Sequence, residues 1–170
     1  MARSRKDSAL QMDAFSIHGG QRLTGKISVD GSKNAALPLL AASLLTQESV
    51  EFECVPDLSD ISSMYRLLEE LGCTVKQDGK SVKVKTVDET QSHARYDIVR
   101  TMRASVCVLG PMLARRGIAR VSMPGGCSFG DRPIDLHLRG LEALGARIEL
   151  DGGDIIARAD RLQGATIFLG

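Results

Sequence analysis

No two of the four cysteines, Cys54, Cys73, Cys107 and Cys127, form a CxxC or CxxH pair, so no structural zinc site is expected and no metal is assigned. Neither charge sign prevails: 22 Lys and Arg stand against 21 Asp and Glu, for a net charge of +1. That balance supplies no global field to draw the protein to nucleic acid or an anionic membrane, so neither is expected as a partner. Any anion must be held by a local site. No stretch approaches membrane-spanning length, and the opening MARSRKDSALQ lacks the apolar run of a secretion signal. Reduced thiols in a cytoplasmic protein follow as the expectation. GxGxxG and GxxxxGK[ST] are both missing, which argues against a doubly wound nucleotide fold, and no cofactor is called for.

What is present is a duplication. Leu39 to Val75 and Cys107 to Ile148 show the same order of helix, strand, helix and strand, with identical spacing from Leu45 to Pro56 and from Leu113 to Pro124. Pro56 to Leu71 is then fifteen steps and Pro124 to Leu144 twenty, so the second copy carries five extra residues around GGCSF. A repeated scaffold with one copy lengthened by a glycine-flanked cysteine predicts a grafted reactive loop.

The expected organisation runs from a disordered extension (1–11, with Met12 as an alternative start) through N-terminal strands (12–31) to repeat unit one (32–86). A polar linker (87–95), repeat unit two (96–160) with its loop at 123–132, and the start of a third unit (161–170) follow. Phe15 to Ile17 and the alternating Gly25 to Val29 predict strands. The Asp30-Gly31-Ser32 turn precedes an apolar run, Ala35 to Leu45, that predicts a helix buried nearly all round with Pro38 in its first turn. Val50 to Cys54 predicts a strand. Asp57 or Ser59 then caps a helix whose inward stripe is Ile61, Met64, Leu68 and Leu71, stopped by Gly72. A hairpin turns at Asp78-Gly79. In the second copy Asp97 to Arg115 reads as helix, Ala119 to Ser122 as strand, and Ile134 to Leu144 as a helix stopped by Gly145, with a hairpin at Asp151-Gly152. The fold class is α/β, with repeated units around a shared helical core.

Most free cysteines are small core hydrophobes, and Cys54, Cys73 and Cys107 lie in sequence that fits. Cys127 does not, because Gly125 and Gly126 precede it and Ser128, Gly130 and Asp131 follow. Its thiol is either inert or reactive according to microenvironment. Lys33 follows the DGS turn at a helix start, where backbone N–H groups and the positive helix end favour an anion; the alternative is a solvated charge. Arg132, five residues from Cys127, is close enough in a bent loop to share its anion. Arg103 takes the repeat position of Ala35, so repeat symmetry could turn it and Lys33 toward one centre. The phosphatase loop is excluded, since four residues rather than five separate Cys127 from Arg132. His137 falls at the repeat position of Met64 and predicts a satisfied core histidine; His18 and His93 receive no role. Asp135, opening a helix, is placed either to accept from a ligand hydroxyl or simply to complement the helix dipole.

With SKNAALP (32–38), TMRAS (101–105), PGGC (124–127) and RPIDLH (132–137), the chain from about Met12 onward closely resembles the bacterial UDP-N-acetylglucosamine 1-carboxyvinyltransferases, the enolpyruvyl transferases that open peptidoglycan synthesis. The resemblance implies an inverted α/β barrel fold built from repeated units, here about two of the three repeats of one domain, plus an initial strand belonging to the other domain. It implies phosphoenolpyruvate and UDP-N-acetylglucosamine as substrates, bound in a cleft that a C-terminal domain absent here completes with an aspartate and another arginine. It assigns Cys127 as the proton donor to C3 of phosphoenolpyruvate, and Lys33, Asn34 and Arg132 to phosphoenolpyruvate. Arg103, Arg132, Pro133, Ile134, Asp135 and Leu136 fall to the nucleotide sugar, with Asn34 and Arg103 matching contacts at the substrate site. A thiol ordinarily near pKa ~8.5 is still largely protonated at neutral pH, and cationic neighbours make it a nucleophile when no anion is bound. Sensitivity to fosfomycin follows from that dual character. Phe129 and Asp131 depart from the family pattern, and Asp131 beside Arg132 partly neutralises the clamp. The alternatives are a 3-phosphoshikimate 1-carboxyvinyltransferase-like enzyme, a branch without the PGGC loop, and a non-catalytic fragment.

Overall fold

The computed structural model describes residues 16–123 and 134–168. Helix α1 (Lys33–Ala42) is the first regular element among the described residues and continues as a 3-10 turn, Ser43–Leu45. It buries Leu37, Leu40 and Ala41, but Pro38 and Leu39 are exposed, Leu39 by 54%. The expectation of burial all round is therefore corrected. Pro38 is the sixth helical residue rather than a first-turn one, and its ring removes the N–H that would bond the Asn34 carbonyl.

Strand β1 (Val50–Phe52), helix α2 (Ser59–Glu70) and the hairpin β2 (Cys73–Asp78) and β3 (Ser81–Thr86) follow. The inward stripe of α2 is Ile61, Met64 and Leu68 as its period requires, with Leu67 added and Leu71 just beyond the last turn, all nearly fully buried. Neither Asp57 nor Ser59 caps it: the N-cap position is Leu58 in extended backbone, and Ser59 is already helical. Gly72 does stop the helix, at φ +85. The sheet order is β1-β3-β2, antiparallel throughout, with Asp78 opposite Ser81 across the predicted turn.

In the second half, β4 (His93–Ala94) lies inside the expected linker and runs parallel to β5 (Ile118–Ser122). The long helix expected over Asp97 to Arg115 is broken into α3 (Tyr96–Val99), a 3-10 segment at Arg103–Val108, and α4 (Leu109–Arg116). Met102 is extended at the break (φ −148), and the hydroxyls of Thr101 and Ser105 each donate to the carbonyl three residues earlier. Such local bonds compete with the helical ladder. Helix α5 (Asp135–Ala143) and the hairpin β6 (Arg147–Asp151) and β7 (Asp154–Arg158) complete a sheet ordered β4-β5-β7-β6. Strands β5, β7 and β6 thus repeat the arrangement of β1, β3 and β2.

One apolar cluster joins α1, α2, α4 and the inner faces of both sheets through residues such as Leu40, Met64, Val84, Met112, Val121 and Ile155. Helix α5 joins only through half-buried side chains, Leu138 and Leu141 among them. No strand forms over residues 16–31, contrary to the expectation for Gly25 to Val29 and, as far as it is described, for Phe15 to Ile17. Ile17, Leu23, Ile27 and Val29 are 87–94% exposed. An alternating segment becomes a strand only when paired with a partner edge, and no described strand pairs with it. Residues 160–168 likewise form no strand or helix.

Candidate functional site

The head of α1 is fixed from three sides. Gly31 approaches the next segment so closely that a Cβ on it would lie 1.9 Å from the Cys54 carbonyl oxygen, and Cys54 itself takes a left-handed backbone (φ 56). Asp30 is ion-paired with Lys80, and Lys80 in turn gives its carbonyl to the Val55 N–H at 2.9 Å. The Ser32 carbonyl receives the Ala36 N–H at 2.9 Å, although its hydroxyl makes no cap bond. Lys33 and Asn34 therefore stand exposed on a positioned helix start that carries no acidic residue in its first turn, a favourable place for an anion. Lys33 Nζ donates to Asp60 Oδ2 at 2.8 Å, which joins the first turns of α1 and α2.

Arg103, half-buried, opens the 3-10 segment that packs against α1. The break in the long helix thus brings its element beside that of Lys33. Ile134 occupies the N-cap position of α5, half-buried, and gives its carbonyl to the Leu138 N–H at 3.1 Å. Asp135 and Leu136 follow as exposed first-turn residues. Cys127, Arg132 and Pro133 lie outside the described residues.

His137 is corrected. It is exposed, whereas Met64 at the matching position is fully buried. Helix α2 is covered by α1, but the corresponding face of α5, with Leu136, His137, Gly140 and Leu144, instead lines a groove of about 450 Å³. Pro38 and Cys107 form its other wall.

The thiols divide differently from the sequence expectation. Cys73 is buried, its Sγ 3.5 Å from the Thr86 hydroxyl, and burial pushes the thiol up from its ordinary range. Cys107 is half-buried and shifted upward for the same reason. Cys54 is exposed, because its strand ends at Phe52 and the turn lifts residue 54 away from the core.

Sequence reasoning missed Asp60, and it missed a carboxylate cluster where β5 ends. Asp154, with its side chain 10% exposed, accepts hydrogen bonds from the Ser122 hydroxyl and Arg120 Nε, with His93 Nε2 at 3.4 Å. The Ser122 bond, then Arg120, hold its carboxyl below the ordinary range against the opposing effect of burial. The register Arg120 opposite Ile156 and Ser122 opposite Asp154 creates this cluster, and strand pairing is not written in residue spacing. No group of three or more His, Cys, Asp or Glu among the described residues is disposed to hold a metal ion.

The overall fold matches known proteins. The enolpyruvyl transferase NikO from Streptomyces tendae superposes with a TM-score of 0.70 at 24% identity, covering 86% of this chain and 32% of that one. An EPSP synthase from Acinetobacter baumannii gives 0.60 at 16% identity over 82% and 33%. Among curated relatives, the UDP-N-acetylglucosamine 1-carboxyvinyltransferase of Desulfatibacillum aliphaticivorans is 52% identical over 158 residues, 93% of this chain and 38% of its own length. The enzyme of that name from Nitratidesulfovibrio vulgaris is 54% identical over 157 residues, 92% and 37%. The chain thus spans less than two-fifths of the length of these relatives. A family model described as EPSP synthase (3-phosphoshikimate 1-carboxyvinyltransferase) matches residues 17–169, and the chain belongs to that family.

Proposed function

We propose that this chain is the N-terminal part of a UDP-N-acetylglucosamine 1-carboxyvinyltransferase, transferring the enolpyruvyl group of phosphoenolpyruvate to the sugar 3-hydroxyl in the cytoplasm as the first step of peptidoglycan synthesis. The observation that carries the reading is identity above half, along nearly the whole chain, to relatives bearing that name. The geometry of the α1 head supports it, since Lys33 and Asn34 stand exposed at a helix start, where free N–H groups favour an anion.

In this reading the sugar hydroxyl attacks C2 of phosphoenolpyruvate, giving its proton to the aspartate of the C-terminal domain, while the Cys127 thiol gives its proton to C3. The tetrahedral adduct then loses phosphate together with a proton from C3, which restores the double bond of the enolpyruvyl ether. Lys33 and Arg132 hold the phosphate. Their charge favours the Cys127 thiolate when no anion is bound, so the same sulfur is an acid with substrate and a nucleophile without it. Arg103 and the segment Arg132, Pro133, Ile134, Asp135 and Leu136 lie along the nucleotide sugar, with Asp135 accepting from a ligand hydroxyl. A C-terminal domain completes the cleft, so the 170-residue chain alone does not turn over.

The test completes the chain with the C-terminal part of one of the relatives above and follows phosphate release from phosphoenolpyruvate. Release is expected with UDP-N-acetylglucosamine, not with shikimate 3-phosphate, and not in Cys127→Ala; fosfomycin is expected to leave a covalent adduct on Cys127. Release with shikimate 3-phosphate alone would replace this reading by the shikimate one. Release with neither acceptor would leave the non-catalytic alternative.

A further inference from the structure

The register of the last hairpin sets Arg147 directly opposite Arg158, so the two side chains leave the same face of the sheet as neighbours. Like charges in that position destabilise a strand pair unless something neutralises them. Among the described residues neither arginine is in a salt bridge. The chain adds a third cation instead. After β7 the chain turns back, with the Ala159 N–H bonded to the Gly117 carbonyl and the Gln163 N–H to that of Leu144, both at 2.9 Å. Arg161 and Gln163 thereby join Arg147 and Arg158 around a pocket of about 440 Å³, with Asp160 the sole carboxylate in its wall among the described residues. Gly145, at φ +98, also lines the pocket, and open space surrounds the position its Cβ would take. Three guanidinium forks against one carboxylate leave a local excess of two positive charges.

We infer that this pocket, formed by Arg147, Arg158 and Arg161, binds a small, multiply charged phosphoryl anion of the diphosphate class. Guanidinium offers paired N–H donors that match two oxygens of one phosphoryl group, and the pocket is roomy enough for two such groups. The site is separate from the proposed sugar positions Asp135 and Leu136. Gly145 of this pocket lies past the C-terminal end of α5, whereas Asp135 and Leu136 open that helix, about 12 Å away at helix rise.

Inorganic diphosphate titrated calorimetrically into the 170-residue chain, at constant ionic strength set with chloride, is expected to bind. Arg147→Ala and Arg158→Ala should each weaken it about tenfold, as expected for losing a charge-assisted pair, and Arg158→Lys should restore only part. Lys33→Ala, at the proposed substrate site, should leave this binding unchanged. Inorganic phosphate and a nucleoside diphosphate, run in parallel, distinguish a preference for the bare diphosphate from recognition of a nucleotide. The arginines lie at the strand ends and are exposed, and an unchanged circular dichroism spectrum verifies that the variants fold. No saturable binding, or binding unaffected in both arginine-to-alanine variants, would overturn the assignment; binding lost in Lys33→Ala would move it to the substrate site.

Discussion

Lys33 Nζ lies 2.8 Å from Asp60 Oδ2, an ion pair that spans 27 residues of sequence and ties the first turns of α1 and α2 together. Both side chains remain substantially accessible, at 44% and 32%. Exposed pairs of this kind contribute at most about 1 kcal/mol. The pair is therefore a weak holder of the Lys33 ammonium, and under the proposed function an incoming phosphate would compete with Asp60 for it. Asp60→Asn is expected to lower unfolding stability by less than about 1 kcal/mol in a urea titration. The same change should tighten phosphoenolpyruvate binding by up to about fivefold, the factor equivalent to that energy. Weaker binding in this variant would show that Asp60 orients the ammonium rather than competing for it.

Two glycines in left-handed backbone separate conformational cost from steric cost. At Gly79, in the β2–β3 turn, φ is +58 and a Cβ would meet open space, so Gly79→Ala should cost only the left-handed penalty of about 1–2 kcal/mol. At Gly72, φ is +85 and a Cβ would lie 2.0 Å from the Asp88 carbonyl oxygen. The Gly72 carbonyl also receives the N–H groups of Val87 and Asp88 at 2.9 and 3.0 Å, so the close approach cannot be relieved without breaking them. Gly72→Ala should cost more than about 3 kcal/mol by denaturant unfolding. Equal losses in the two variants would mean that this contact relaxes freely.

Periodicity made the α2 stripe of Ile61, Met64, Leu68 and Leu71 legible, and turn chemistry made both hairpins legible, because each of these signals is local. The same logic placed Lys33 and Asn34 at a helix start from the turn-forming Asp30-Gly31-Ser32. It failed wherever a partner decides. Gly25 to Val29 alternates like a strand but pairs with no described strand, and His137 carries the pattern of an inward residue on a helix that no described helix covers as α1 covers α2. Cys54 reads as strand, yet the close approach of Gly31 and the left-handed turn carry it outward. Asp60 and Asp154 were invisible as partners, since each meets its cation from another element.

The thiols should react in the order of their burial. With Cys127 replaced by Ser to isolate the others, Cys54 is expected to react first with a neutral disulfide reagent at pH 7.5. It should lead Cys107 and Cys73 by about tenfold or more, since both are shielded and burial raises both thiols, which lowers the thiolate fraction. Cys73 should be released only on unfolding. Peptide mapping after a short pulse reads the order, and early labelling at Cys73 would contradict its placement in the core.

Asp154 should give the protein a measurable acid sensitivity. Its carboxyl is held below the unfolded value by Ser122 and Arg120, with the charge of His93 acting in the same sense. A depressed carboxyl stabilises the fold at any pH above the unfolded value, about 3.9 for aspartate, and that contribution is lost as pH falls from there through the folded value. Asp154→Asn removes the charge but keeps a side chain of similar size. It is expected to destabilise the chain at pH 7 by about 1 kcal/mol or more, as for the loss of a charged hydrogen-bond acceptor. The gap between parent and variant should narrow as pH is lowered from about 5 to 3. Thermal unfolding across that range decides the matter: a gap constant with pH would assign the loss to packing, and one that widens on acidification would reverse the sign argued for the carboxylate.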